Sequence, residues 1–223
     1  VHELTKRFAI DEYTVIREYL QVVFLSILYR INASQRIFFK GGTSIRLLLK
    51  SNRFSEDLDF TADLTTDALD VIVREAVRQM DLVIPGIALK RTEENAFSYT
   101  GVLNYRPEGA KHPLNLHLDF SLREKPETSK DEVMETDFPI ASPPIIRHLD
   151  WPEVLAEKIR AFLYRSKGRD VYDLWLLLSK GVDLDWAMIN RKMQFYNMTT
   201  SLDHVIERLR AYENAHIEHD LGK

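Results

Sequence analysis

Two adjacent glycines, set between a short apolar run and an amphipathic one, constrain this chain most. Ile37-Phe38-Phe39 reads as a buried strand, Gly41-Gly42 breaks it, and Thr43 to Lys50 reads as a helix with Ile45, Leu47, Leu48 and Leu49 as its apolar residues. A strand that turns at glycine into a helix N-terminus presents backbone N–H groups and a partial positive charge, which is an anion site by geometry. Glycine lets the backbone approach the anion closely, and the hydroxyls of Thr43 and Ser44 add donors. Thirteen residues separate Thr43 from Asp57-Leu58-Asp59, room for one helix and a return turn into a second strand at 57–61. Residues two apart on a strand project from one face, so Asp57 and Asp59 point together. Two such carboxylates repel unless a cation sits between them. Mg²⁺ typically takes one or two carboxylates together with substrate phosphates.

The rest of the chain falls into an α+β part and a helical part. Residues 12–31 are expected to be a helix, with Ile16, Leu20, Val23, Phe24, Ile27 and Ile31 on one face. Residues 66–80 form a second, with Thr65 or Thr66 as N-cap and Asp67 and Asp70 in the first turn. Strand-like runs follow at 82–91, 96–105 and 113–122. The last alternates strictly, Leu114, Leu116, Leu118 and Phe120 against Asn115, His117, Asp119 and Ser121. A proline-rich connector spans 137–144, and helical patterns occupy 151–166, 169–180, 185–195 and 200–215. The expected architecture is a mixed sheet with flanking helices over 1–145, followed by a helical subdomain over 146–223 that completes the active site.

Asp119, on the polar face of its strand, is a third candidate carboxylate, either for a second metal or as a general base. A further constellation lies in the helical part. From Lys158 to Arg169 there are five basic residues and no acidic one. Lys158 and Arg165 are seven apart and share a helix face. Lysine meets a triphosphate as a point charge and arginine as a bidentate fork. Asp170 and Asp173 share a face of the next helix; Asp170 as a helix cap and Arg169–Asp173 as an intrahelical pair are the structural alternatives.

Net charge is −4, so any nucleic-acid footprint must be local. With no cysteine, thiolate metal sites are excluded and Asp, Glu and His remain as ligands; this fits a reducing cytoplasm, the expected location. The longest apolar runs fall well short of the ~20 residues of a membrane span.

Four blocks, Lys40-Gly41-Gly42-Thr43-Ser44-Ile45-Arg46, Arg53-Phe54-Ser55-Glu56-Asp57-Leu58-Asp59-Phe60, Ala156-Glu157-Lys158-Ile159-Arg160-Ala161 and Arg169-Asp170-Val171-Tyr172-Asp173-Leu174, resemble in residue and order the AbiEii/AbiGii toxin family of nucleotidyltransferases. The resemblance implies a DNA polymerase β-like nucleotidyltransferase core and transfer of NMP from an NTP with Mg²⁺ or Mn²⁺. It also implies a toxin–antitoxin or phage-defence role with an antitoxin partner, and an RNA acceptor, since related toxins modify tRNA ends. Carried over, Gly41, Gly42, Thr43 and Ser44 match the phosphate-binding turn, and Asp57, Asp59 and, less closely, Asp119 match the metal carboxylates. Lys158, Arg169, Asp170 and Asp173 match the later motifs that face the nucleotide. Arg165 and Lys167 are left as candidate RNA contacts.

Three rival readings exist. The string Asp57-Leu58-Asp59-Phe60-Thr61 also matches the first motif of haloacid-dehalogenase-like phosphatases, but there a buried apolar strand precedes the nucleophile, and here Arg53, Ser55 and Glu56 do. A transferase acting on a small molecule shares the chemistry and differs in the labelled acceptor. A catalytically inactive binding module of the same fold would not turn over NTP.

Overall fold

The computed structural model describes Thr5 and residues 10–165 and 167–212. The chain divides into two compact units, 1–148 and 149–223.

The first unit is built on one seven-stranded mixed sheet in the order β3-β4-β5-β2-β1-β7-β6. Its strands are β1 (Ile37–Lys40), β2 (Leu58–Ala62), β3 (Ala88–Asn95), β4 (Ser98–Tyr105), β5 (Leu114–Ser121), β6 (Ser129–Val133) and β7 (Ile145–Leu149). Its helices are α1 (Glu12–Leu28), α2 (Gly41–Leu48) and α3 (Thr66–Val83). β2 pairs antiparallel with β1 and parallel with β5. Helix α1 is started by Asp11, whose carboxylate accepts from the Thr14 N–H at 3.0 Å. Thr65 caps α3 by accepting from the Ala68 N–H. Each cap satisfies a backbone donor that the helix leaves open.

The centre of the sheet is organised by register. Phe39, Phe60, Phe120 and Tyr99 are successive cross-strand partners on β1, β2, β5 and β4. Their rings touch in a row, with Phe60 stacked on Phe120 at 4.5 Å and Phe39 and Tyr99 at the ends. All four side chains are buried, each worth roughly 2–3 kcal/mol of burial, and stacked or edge-on pairs add about 1 kcal/mol. Beneath them α1 and α3 pack on each other and on the sheet, closing the core with Leu20, Phe24, Leu69, Val73, Ala76 and Met80. One step along the same strands lies a polar row: Lys40 pairs with Asp59, Asp59 with Asp119, and Asp119 with Thr100. Since side chains alternate between faces, this row projects on the side away from the rings.

The second unit is helical: α4 (Trp151–Arg165), α5 (Gly168–Ser179), α6 (Trp186–Gln194) and α7 (Leu202–Arg210). Helix α4 packs against the other three around Leu155, Ile159, Phe162, Leu174, Leu177, Ile189 and Met193. Among the described residues no helix is long and apolar enough to cross a membrane.

The architecture is the expected α+β one, with four departures. Helix α3 runs on to Val83, and the turn at Pro85-Gly86 delays β3 to Ala88, so the strand expected at 82–91 starts later. The stretch Ser129–Val133, Ser-Lys-Asp-Glu-Val, is a strand the sequence did not announce, because an edge strand with polar residues on both faces has no alternation to read. Strand β7 at Ile145–Leu149 was hidden by the prolines before it. The second helix begins at Gly41 itself, two residues before the expected start.

Candidate active site

The site is built where β1 turns into α2. Gly41 has φ +80°, a conformation glycine adopts without steric cost. A Cβ there would fall on the Asp59 carboxylate, and one on Gly42 would lie 2.5 Å from Arg53 Nη2 and 2.9 Å from Ser55 Oγ. The two glycines are therefore required by close approach as well as by backbone shape. A carboxylate meets one peptide of the turn, and a guanidinium and a hydroxyl meet the other.

The hydroxyls of Thr43 and Ser44 serve the backbone. Both residues are fully buried. Thr43 Oγ1 donates to the carbonyl of Asp57 and Ser44 Oγ to that of Gly41 at 2.9 Å. Their donating capacity is thus spent on shaping the turn and the start of β2, and the donors left to face an anion are backbone N–H groups. Arg53 is a site residue that sequence reasoning missed. Its backbone N–H donates to Ser51 Oγ at 3.2 Å and its Nη1 to the Phe54 carbonyl at 3.2 Å, which curls the side chain back over the turn. The signal for it was the Arg-Phe-Ser block itself, where a cation stands four residues before the carboxylate pair.

Asp57 and Asp119 are brought close. Burial, and then the negative charge of Asp57, push the Asp119 carboxyl above its usual range, with His117 partly offsetting them. Asp59 is the cross-strand partner of Asp119 and lies against Gly41. So Gly41, Gly42, Asp57, Asp59 and Asp119 form one locality, flanked by Lys40 and Arg53. Among the described residues no three Asp, Glu or His side chains converge tightly enough to make a preformed metal cage. The donors are nonetheless hard carboxylate oxygens whose mutual repulsion a divalent cation would relieve, and that set fits Mg²⁺ chemistry. Asn115 receives a hydrogen bond from Asn104 at 2.7 Å, and His117 is exposed.

The helical unit gathers a different set. Lys158, largely buried, places Nζ 2.6 Å from Asp173 Oδ2 and 3.9 Å from Asp170 Oδ1. Asp170 and Asp173 are fully buried. Arg165, expected to face RNA, instead forks onto Asp170 through two bonds of 2.8 and 2.7 Å. Asp170 is therefore not the cap of α5, and Asp173 pairs with Lys158. Lys167 is exposed at the α5 N-cap position. Arg169 is half-buried, and its Nε has no hydrogen-bond partner among the described residues.

A family model described as nucleotidyl transferase AbiEii toxin, type IV toxin–antitoxin system, matches residues 24–220. The chain belongs to this family. Its fold is similar to that of MenT4, a nucleotidyltransferase toxin of Mycobacterium tuberculosis H37Rv, at 22% identity and TM-score 0.63, covering 93% of this chain and 74% of that one. It is also similar to JHP933 of Helicobacter pylori at 22% identity and TM-score 0.59, covering 95% and 79%. No curated protein matches the sequence. Membership makes the chain a toxin-family nucleotidyltransferase, a class whose systems pair toxin with antitoxin.

Proposed function

We propose that this AbiEii-family member transfers a nucleoside monophosphate from an NTP to a hydroxyl of RNA, with tRNA the favoured acceptor, and that it is held in check by a cognate antitoxin. The observation that carries the reading is the polar row Asp59–Asp119, joined by Asp57, lying beside a glycine turn that offers backbone donors and the Arg53 guanidinium. Carboxylates beside an anion-binding turn make sense when a cation joins them to phosphate.

Asp57, Asp59 and Asp119 would hold a divalent ion, which would neutralise the triphosphate and polarise its α-phosphorus. The N–H groups of Gly42 and the residues after it, with the α2 N-terminus behind them, bind the outer phosphates. Arg53 adds a fixed cation there. The acceptor oxygen forms a bond to the α-phosphorus as the bond to the bridging oxygen breaks and pyrophosphate leaves. Where Asp57 and Asp59 alone hold the ion, Asp119, on the same sheet face, is instead placed to take the acceptor's proton on a carboxylate oxygen. Lys158, Arg169, Asp170 and Asp173 enter through the family motifs. Of these, Lys158 is the candidate for neutralising charge on the nucleotide.

The deciding experiment incubates the protein with each α-labelled NTP, Mg²⁺ and total cellular RNA. Label in the tRNA fraction is the expected result. Label in a small molecule from RNA-free extract would replace the acceptor, and no incorporation from any NTP would leave an inactive binding module.

A further inference from the structure

Helix α1 looks at first like plain core, since Val15, Leu20, Val22, Val23, Phe24 and Leu25 are all buried. Three of its residues do not fit that role. Gln21 stands four residues after Arg17 and three after Glu18, and so is a neighbour of each on the helix surface. Arg17 and Gln21 reach the loop 49–57 that delivers the carboxylates, and Glu18 reaches it through Arg46. Gln21 is only 1% exposed, and its Nε2 donates to the Ser55 carbonyl at 2.9 Å and to the Glu56 carbonyl at 3.0 Å. Arg17 pairs with Glu56 at 2.8 Å. Glu18 holds Arg46 at 2.7 Å, and Arg46 in turn donates to the Ser51 carbonyl and lies 4.0 Å over the Phe54 ring.

We infer that Gln21 is a positioning residue for Asp57. The inference rests on the transferase reading above. The two carbonyls Gln21 binds belong to the two residues immediately before Asp57. The next carbonyl, that of Asp57, is bound by Thr43. Three consecutive peptides are thus pinned, two from α1 and one from α2, and the only freedom left to the Asp57 side chain is its own rotamer. An amide nitrogen has two donors, Gln21 is buried and so must find partners for them, and an apolar residue has no donor to put in their place. Gln21 lies before the span matched by the family model, and the sequence blocks that carry the family likeness do not contain it.

The test compares Gln21→Met, which keeps the volume and removes the donors, with Leu20→Ala, which opens a cavity on the same helix without touching the loop. Displacing a reacting group by about 1 Å can cost ~10²-fold in rate, so Gln21→Met is expected to lower kcat by roughly 10- to 100-fold. It should change KM for the NTP less than kcat, because the bonds that shape the glycine turn itself, from Thr43 and Ser44, are kept. Leu20→Ala should lower Tm more and kcat less. Hydrogen exchange supplies a readout independent of turnover: amides of residues 51–57 should exchange faster in Gln21→Met while those of β5 hold. The inference is overturned if Gln21→Met keeps wild-type kcat, if Leu20→Ala loses kcat equally, or if exchange over 51–57 is unchanged. Absence of transfer by the wild type, with faster exchange in the variant, would sink the transferase reading and leave the brace standing.

Discussion

The helical unit and the candidate site of the sheet unit handle carboxylates in opposite ways. In the helical unit Asp170 and Asp173 are wholly buried, and each is matched by a cation at hydrogen-bonding distance, Arg165 and Lys158 respectively. Glu153, also wholly buried, receives Lys192 at 2.5 Å. In the sheet unit Asp119 is partly buried beside Asp57, and the second charge makes the first harder to keep. An internally matched cluster is a structural solution, because breaking it strands a charge. A cluster of like charges is unfavourable on its own and becomes favourable when a cation arrives from solution. On the proposed reading, the contrast separates carboxylates that hold the fold from carboxylates that bind a cation.

The contrast can be broken most sharply at Asp57 and Asp59. Replacing either with Ala is expected to lower transfer by at least ~10²-fold, the usual loss when one positioned electrostatic group is removed, while urea unfolding barely changes. A variant that transfers at near wild-type rate would remove that residue from the site. Next is Lys158→Ala, which leaves Asp170 and Asp173 short of a buried cation. Removing one member of a buried pair costs about 3–5 kcal/mol, so the urea midpoint should fall markedly, and only the variant that still folds can report on turnover. An unchanged midpoint would mean that the 2.6 Å contact carries no structural weight. Asp119→Asn is expected to do the reverse: it removes a charge disfavoured by burial and by Asp57, so Tm should hold or rise slightly while transfer falls. A clear loss of Tm would place Asp119 among the structural carboxylates. The smallest effect belongs to Lys167→Glu. Its side chain is exposed and touches no member of the buried cluster, so Tm should not move. The log–log salt slope of RNA binding should shrink by roughly 0.7, the share of one phosphate contact on a single strand. An unaltered slope would remove Lys167 from the RNA footprint.

How much of this was legible depended on whether a residue's neighbours were near in sequence. Strand β5 was read correctly because its alternation Leu114 to Ser121 is local and one face is core. The glycine turn was read because a Gly-Gly break between two apolar runs has few structural meanings. The direction of the Thr43 and Ser44 hydroxyls was not, because it depends on the carbonyls of Asp57 and Gly41, one of them fourteen residues away. Gln21 was passed over for the same reason: its partners lie 34 and 35 residues on. The one available clue was chemical, a primary amide in the run Leu20-Gln21-Val22-Val23 on a helix otherwise committed to the core, since a buried amide must find a partner. Arg165 was read as an RNA contact because sequence does not show that it folds back on Asp170, five residues ahead.

The ring row Phe39–Phe60–Phe120–Tyr99 and the polar row Lys40–Asp59–Asp119–Thr100 occupy adjacent positions on the same four strands. A one-residue slip of β2 against its neighbours would therefore turn Phe60 out to water and drive Asp59 in among the rings. Such a slip cannot keep the burial of the rings and misplace only the carboxylates. The core thus proofreads the site: a chain mispaired at this seam should unfold or be degraded, and should not persist as a sloppy enzyme.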